Sequence, residues 1–163
     1  MATITVTNIT EAVDGDVSSV SGLLADSGDD GISLREAITA VNATSGAHTI
    51  VFDSDLAGST ISLEGNLPVL TRSSVTLEGL VNSDGTPAIA IDGTGLGTGM
   101  LCIAASDVSV SHLRFVLSAE PGPHSAVTVL AGLQLEDFDS ALALENIRIE
   151  DNVFSGGEVP VSH

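Results

Sequence analysis

The feature that most constrains the fold is a five-residue pattern that recurs at a fixed interval. It consists of an apolar residue, any residue, an apolar residue, an acidic residue and a glycine, and it occurs as "ISLEG", "VTLEG" and "IAIDG". The copies begin at residues 61, 75 and 89, so the interval is 14 residues each time. Apolar alternation is typical of a short strand with one buried face, and each glycine favours a turn. Short strands at a fixed period predict a repeat architecture.

A longer pattern recurs with wider spacing. It occurs as "VTLEGLV", "VSVSHLRF" and "IRIEDNVF", at intervals of 33 and 39 residues. The apolar residues occupy even-numbered positions up to Val110 and odd-numbered positions from Leu113. Since successive side chains of a strand point to opposite faces, all of them can point inward only if the chain bends near residues 111–112. The equivalent bend falls near residues 150–151, and Asn152 is predicted to be a turn residue because asparagine tolerates unusual backbone angles.

Other short segments have the composition of strands. They cover residues 2–7, 48–52, 60–63, 74–77, 88–91, 100–104, 107–110, 113–115, 126–130, 142–144 and 147–149. Helical patterns do not alternate with these segments, which argues against a βαβ architecture. Short strands joined by bends and stacked on the next copy predict an all-β coiled β-solenoid with variable loops.

One segment near the N-terminus is different, because "GISLREAITAVNA" at residues 31–43 has helical periodicity. Ser33 and Glu36 form a capping box, and Gly46 offers a left-handed stop. Four apolar residues share one helical face: Leu34, Ala37, Ile38 and Val41. Since the end of a solenoid exposes apolar side chains and unpaired strand edges, this short amphipathic helix is predicted to be a terminal cap.

These patterns predict a single domain over residues 1–163. Residues 1–47 would form the N-terminal strand, an acidic loop and the capping helix, residues 48–155 the coils, and residues 156–163 a tail. The strand "ATITVT" and the tail "GEVPVSH" are candidates to lie across the strand edge of a neighbouring molecule. Either the chain is a fragment, or its copies join head to tail as an oligomer or filament.

Charge restricts the possible partners. The chain has 22 acidic residues against four arginines, no lysine and a net charge of −18, which excludes nucleic acid and anionic membranes as favoured partners. No window has the length of a membrane span, and no secretory signal opens the chain. Such acidity favours solubility, or a salty and calcium-bearing medium in which salt screens self-repulsion. Cys102, the only cysteine, lies in an apolar run and is predicted to be buried.

Carboxylates are concentrated in the segment that precedes the predicted helix. Calcium takes six to eight oxygen ligands from such loops. The spacing matches no EF-hand loop, so the alternative is a solvated acidic loop, and no cofactor other than calcium is expected. The candidate ligands are Asp14, Asp16, Asp26, Asp29 and Asp30.

The sequence also resembles a known family. "ISLREAITAVNA", "HTIVFDSDL", "TISLEGNLPVL", "SVTLEG" and "AIDGTG" are similar to the N-terminal part of bacterial secreted and surface right-handed parallel β-helix proteins. Their signature is a Cys-Ser-Leu-Arg-Glu-Ala-Ile segment, and Ile32 stands here at the position of that cysteine. The match runs from Gly31 to Gly95, and later segments match only the general pectin-lyase-like pattern. The resemblance implies a right-handed parallel β-helix within a large extracellular, often adhesive protein, and implies no single catalytic activity.

Residues for polysaccharide cleavage are hard to assemble from this sequence. A lyase needs a base and a cation to neutralise the substrate carboxylate, but lysine is absent and Arg114 and Arg148 are not at equivalent positions. Ser111 and His112 are adjacent, so their side chains would point to opposite faces of a strand. A hydrolase needs two carboxylates at a set separation. The outward acidic residues available for this are Asp92, Asp107, Glu145, Glu150 and Asp151.

We therefore expect a non-enzymatic structural module of an extracellular surface protein, an adhesin or a self-assembling filament. The alternative is a β-helix that binds or cleaves polysaccharide. Another copy of the chain is the main expected partner, carbohydrate is a second one, and membrane insertion is not expected.

Overall fold

A computed structural model describes residues 2–65, 67–94, 101–116, 127–129 and 147–155. Within these ranges the chain has two α-helices, a short 3-10 helix at Ser54–Leu56 and eleven strands. The helices are α1 (Val20–Ala25) and α2 (Leu34–Asn42). The strands are β1 (Ala2–Val6), β2 (His48–Phe52), β3 (Thr60–Ser62), β4 (Val75–Glu78), β5 (Ala90–Asp92), β6 (Leu101–Ile103), β7 (Val108–Ser111), β8 (Arg114–Val116), β9 (Val127–Val129), β10 (Arg148–Glu150) and β11 (Val153–Ser155).

The strands pair in parallel in three separate sheets. A five-stranded sheet has the order β1-β2-β4-β7-β10, a four-stranded sheet the order β11-β8-β5-β3, and β6 pairs with β9. In-register pairing aligns one inward residue from each strand of the five-stranded sheet. We call this set the inner column, and it consists of Ile4, Ile50, Leu77, Val110 and Ile149. In the four-stranded sheet, Ile61, Ile91 and Phe115 are likewise in register and buried.

The two helices pack against each other and against β1. Ser33 begins α2, where its side chain accepts the Glu36 amide while Glu36 accepts the Ser33 amide. The apolar face of α2 is fully buried and consists of Leu34, Ala37, Ile38 and Val41. In α1, Val20 and Leu23 are buried in the same core. The helices thus lie over the β1 end of the five-stranded sheet.

The predicted all-β right-handed parallel β-helix with one capping helix is wrong. The described residues form a mixed α/β structure with two helices and small separate parallel sheets, and no closed solenoid occurs among them. The acidic segment before α2, predicted to be a loop, contains α1. Gly22 and the serines around it are weak helix formers, and this composition concealed the helix. Alternation over three to five residues predicts that strands form, but does not determine whether their connections close a coil.

Backbone bends occur where the parity of the apolar residues changes. His112 and Asp151 have φ values of 58° and 56°, in the left-handed region that side chains rarely adopt. The side chain of Asn152 bonds across the bend at His112: its Oδ1 accepts the Leu113 amide at 3.0 Å, and its Nδ2 donates to the Val110 carbonyl at 2.9 Å. These bonds fix the direction of the chain between the two large sheets.

Some predicted segments lie wholly or partly outside the described residues. The strand predicted at 142–144 and the tail at 156–163 lie outside them, and of the segment 126–130 the structure describes β9. Cys102 is a free thiol and only half-buried, because it faces outward between the buried residues Leu101 and Ile103. The prediction that Cys102 is buried is therefore wrong.

Candidate functional site

A groove of about 250 Å³ lies on the outer side of the four-stranded sheet. Its strand residues Thr60, Ala90 and Arg114 are in register on β3, β5 and β8, and they alternate with the buried residues of those strands. Two surface loops form its sides. The lining residues are Gly58, Ser59, Thr60, Asn82, Thr86, Pro87, Ala88, Ile89, Ala90 and Arg114.

Among the described residues that line the groove, Arg114 is the one that carries a charge. Its neighbour in register, Ala90, has a single methyl group, which leaves space over the middle of the sheet. The Arg114 side chain is exposed, and the described part of the chain places no carboxylate within ion-pair distance of it. A guanidinium presents a planar fork of donors that matches a carboxylate in two parallel hydrogen bonds. The groove therefore has the chemistry of an anion site within a strongly acidic protein.

One side of the groove is a loop held by its own hydrogen bonds. The Asn82 amide donates to the Thr86 carbonyl at 2.8 Å, and the Gly85 amide donates to the Asn82 carbonyl at 3.0 Å. Oδ1 of Asp84 accepts the Thr86 hydroxyl at 2.6 Å and the Thr86 amide at 3.0 Å. These two bonds, the hydroxyl first, lower the pKa of Asp84 from its ordinary value. Asp84 itself does not line the groove, so the charge at the groove surface remains that of Arg114.

The other side of the groove is attached to the sheet by backbone bonds. The Gly58 amide donates to the Ala88 carbonyl at 2.6 Å, and the Ala90 amide donates to the Ser59 carbonyl at 3.1 Å. The Arg114 amide donates to the Ile89 carbonyl at 3.1 Å, which fixes the position of β8 beside the groove floor. The backbone around the groove is thus held in place by hydrogen bonds within the chain.

The predicted calcium ligands lie along the segment before α2, and several of them accept hydrogen bonds within it. Oδ1 of Asp16 accepts the Ser18 hydroxyl at 2.5 Å and the Ser18 amide at 3.0 Å. These bonds, the hydroxyl first, lower the pKa of Asp16. Oδ2 of Asp14 accepts the Asp29 amide at 3.1 Å.

Two more of these aspartates, Asp26 and Asp30, also have local partners. Oδ1 of Asp26 accepts the Gly28 amide at 3.4 Å, and Asp30 accepts bonds from Asn8 and Thr10. Over the described ranges no group of three or more His, Cys, Asp or Glu side chains is placed to hold a metal ion. Calcium binding by this segment stays a prediction, and melting temperatures in chelator and in millimolar calcium would test it.

The structure does not bring the two candidate lyase arginines together. Arg114 belongs to the four-stranded sheet and Arg148 to the five-stranded sheet. Nε2 of His112 lies 3.9 Å from Oδ2 of Asp151, at the bend between the sheets.

The candidate acids are spread in the same way. Asp92 is on β5, where its Oδ1 accepts the Thr94 amide at 2.9 Å, and Glu150 is on β10. Asp107 directly precedes β7, Asp151 lies at the bend, and Glu145 lies outside the described residues. No assignment of two facing carboxylates follows from these positions.

Sequence patterns did not identify the groove. Ser59 lies in one loop and Asn82 and Thr86 lie in another, and their proximity depends on the register of β3, β5 and β8. Arg114 was the only available signal, since it is one of four cations in the chain.

Comparison of the chain with protein-family models, curated proteins and solved structures finds no match. Neither α-helix of the described ranges is long and apolar enough to cross a membrane.

Proposed function

We propose that this chain is a non-enzymatic structural module of an extracellular surface protein, an adhesin or a filament, and that its copies join head to tail. The main support for the proposal is the exposure of the last residue of the inner column. Ile4, Ile50, Leu77 and Val110 are fully buried, whereas Ile149, in register with Val110, is 38% exposed. An inward isoleucine at the last described strand favours the addition of a further apolar layer.

The backbone of β10 supports the same interpretation. It pairs with β7 on one side, and none of the described strands pairs with its other side. A strand edge with unpaired N–H and C=O groups is a template for another strand. We call β10 and its exposed Ile149 the tail end of the module.

The helical end, over β1, also has exposed apolar residues. Three of them belong to α1 or to the segment that precedes it: Leu24, which directly follows the buried Leu23, and Ile9 and Val13. We call these three residues the head patch. Contact between the head patch of one copy and the tail end of the next would cover apolar residues on both. Such a contact is not closed by two-fold symmetry and leads to rings or open filaments.

Charge favours end contacts over side contacts. The net charge of −18 opposes lateral association, and salt weakens this repulsion at separations beyond about 10 Å at 0.1 M. The same acidity suits the salty, calcium-bearing medium outside cells. We therefore expect elongated oligomers at high protein concentration, favoured by salt or calcium, in light scattering and electron microscopy. A monodisperse monomer at every concentration would contradict the proposal.

The second candidate is a polysaccharide-binding or polysaccharide-cleaving module, and the Arg114 groove favours its binding form. Incubation with plant and algal polysaccharides would test it. Release of reducing or unsaturated ends would establish cleavage and contradict the non-enzymatic proposal. Retention on a polysaccharide without such release would support binding alone.

A further inference from the structure

We infer that the groove beside Arg114 is a binding site for a small hydroxylated carboxylate, of the size of one sugar acid. Such a site deepens the second candidate function and does not depend on the proposed assembly, since the groove lies on the four-stranded sheet and the tail end belongs to the five-stranded sheet. The site takes its charge from one arginine and its remaining polarity from uncharged groups.

The charge of the ligand follows from the charge of the lining. Arg114 supplies a cation, and the other lining residues in the described part of the chain are uncharged. The described ion pairs join Arg35 to Glu11 and His112 to Asp151, so they do not involve Arg114. A cationic ligand would meet an arginine, whereas a carboxylate would find two parallel donors. In a protein of net charge −18, an anion gains little from long-range attraction, so recognition depends on this local contact.

The hydroxyl groups of the ligand follow from the polar groups around the arginine. Ser59 and Thr60 supply hydroxyls, which both donate and accept hydrogen bonds. Asn82 uses its Nδ2 on the Thr86 hydroxyl at 3.1 Å and supplies an amide oxygen as an acceptor. A ligand with alcohol groups next to its carboxylate matches these groups better than a bare carboxylate does.

The size of the ligand follows from the volume of the groove. About 250 Å³ is slightly below the range of roughly 300–1,000 Å³ that is typical of pockets for drug-sized molecules. Ala88, Ile89 and Ala90 line the groove, and their small or inward side chains do not fill it. The groove therefore accommodates one sugar-sized unit, either free or exposed on a longer chain.

The test is a titration of the protein followed by amide chemical shifts in NMR, at constant ionic strength. The probes are gluconate, its neutral counterpart sorbitol, and acetate, which has the carboxylate but no hydroxyl. We expect saturable shifts with gluconate, centred on residues of the groove, and much weaker shifts with sorbitol and acetate. Shifts as strong with sorbitol, or as strong with acetate, would overturn the inference.

Two variants distinguish binding by the Arg114 side chain from an effect of the net charge of the protein. Arg114→Gln should weaken gluconate binding by at least about tenfold, since it removes a charge-assisted hydrogen bond. Ser109→Glu lowers the net charge by the same one unit at an outward position on β7, outside the groove, and should leave binding unchanged. Equal loss in both variants, or no loss in Arg114→Gln, would overturn the inference.

A second variant guards against a change in folding. Ala90→Leu keeps Arg114 but places a larger side chain over the groove floor, and it should also abolish the gluconate shifts. Unchanged binding in Ala90→Leu would overturn the site. A polymer of repeated sugar acids then distinguishes a free sugar acid from a unit of a longer chain as the ligand. Tighter binding per unit than that of gluconate indicates the polymer, and equal binding indicates the free acid.

Discussion

Glu36 binds the backbone of Asp14, which is 22 residues away in the sequence: its Oε1 accepts the Asp14 amide at 2.9 Å. The same oxygen accepts the Gly15 amide at 2.7 Å, and Oε2 accepts the Ser33 amide at 2.8 Å. Glu36 is fully buried, and an ionised carboxylate is buried only at high cost unless it is hydrogen-bonded. The capping box of α2 therefore also holds the acidic segment against the helix.

The first prediction concerns this carboxylate. Glu36→Gln keeps the size of the side chain but removes the charge and points an NH₂ group at a backbone donor. We expect the free energy of unfolding to fall by about 2–3 kcal/mol, because hydrogen bonds to a charged group are lost. Urea denaturation measures the change, with Glu78→Gln on the exposed face of β4 as the control. Equal stability of the two variants would contradict the anchoring role.

The second prediction concerns the packing of α2. Ile38 is fully buried, so Ile38→Asp places a carboxylate in the core shared by α2 and β1, with an expected loss of about 3 kcal/mol or more. Thr39→Asp, on the half-buried side of the helix, should have a much smaller effect. Thermal or chemical unfolding distinguishes the two. If Ile38→Asp melts at the wild-type temperature, α2 does not stabilise this end of the sheet.

Local signals in the sequence predicted parts of the fold. The position of α2 could be predicted because Ser33 and Glu36 have side chains that satisfy the free amides at a helix start. The short strands followed from apolar alternation, as in Val75 and Leu77. Neither signal depends on distant parts of the chain.

The remaining structure depends on distant parts of the chain and was missed. The six-residue helix α1 contains Gly22, and its stability comes from burial of Val20 and Leu23 against the rest of the core. The division of the strands into separate sheets is set by connections that apolar patterns do not specify. The groove likewise exists only because register brings Thr60 and Arg114 to one face.

The third prediction concerns the close approach of β4 and the bend after β7. A Cβ at Gly79 would lie 2.0 Å from the carbonyl oxygen of His112, so one of the two backbones would have to move. We expect Gly79→Ala to lower the free energy of unfolding by about 1–3 kcal/mol, as overpacking does. At Gly65 a Cβ would find only Arg35 Nη2, at 4.0 Å, so Gly65→Ala should be tolerated. If both variants unfold at the same urea concentration, the close approach is incorrect.

The fourth prediction concerns pH. The hydroxyl and amide of Ser18 lower the pKa of Asp16, so this carboxylate contributes stability above its unfolded pKa and loses that contribution as pH falls through its folded pKa. Ser18→Ala removes the hydroxyl and should raise the pKa of Asp16 towards its ordinary value. The pKa of Asp84, which is lowered by Thr86, should not change. Carbon-detected NMR titration of the carboxyl groups measures both, and an unchanged Asp16 in Ser18→Ala would exclude the hydroxyl as the cause.

The most direct test of the proposed assembly is sedimentation velocity of the Ile149→Lys variant at high protein concentration. A lysine at the exposed end of the inner column places a charge where the next apolar layer would pack, as natural edge strands do to prevent pairing. Thr76→Lys makes the same change of charge on the outer face of the central strand β4 and serves as the control. We predict that wild type and Thr76→Lys form elongated oligomers whose size grows with concentration, and that Ile149→Lys sediments as a monomer. Oligomers of equal size in all three proteins would contradict assembly through the tail end.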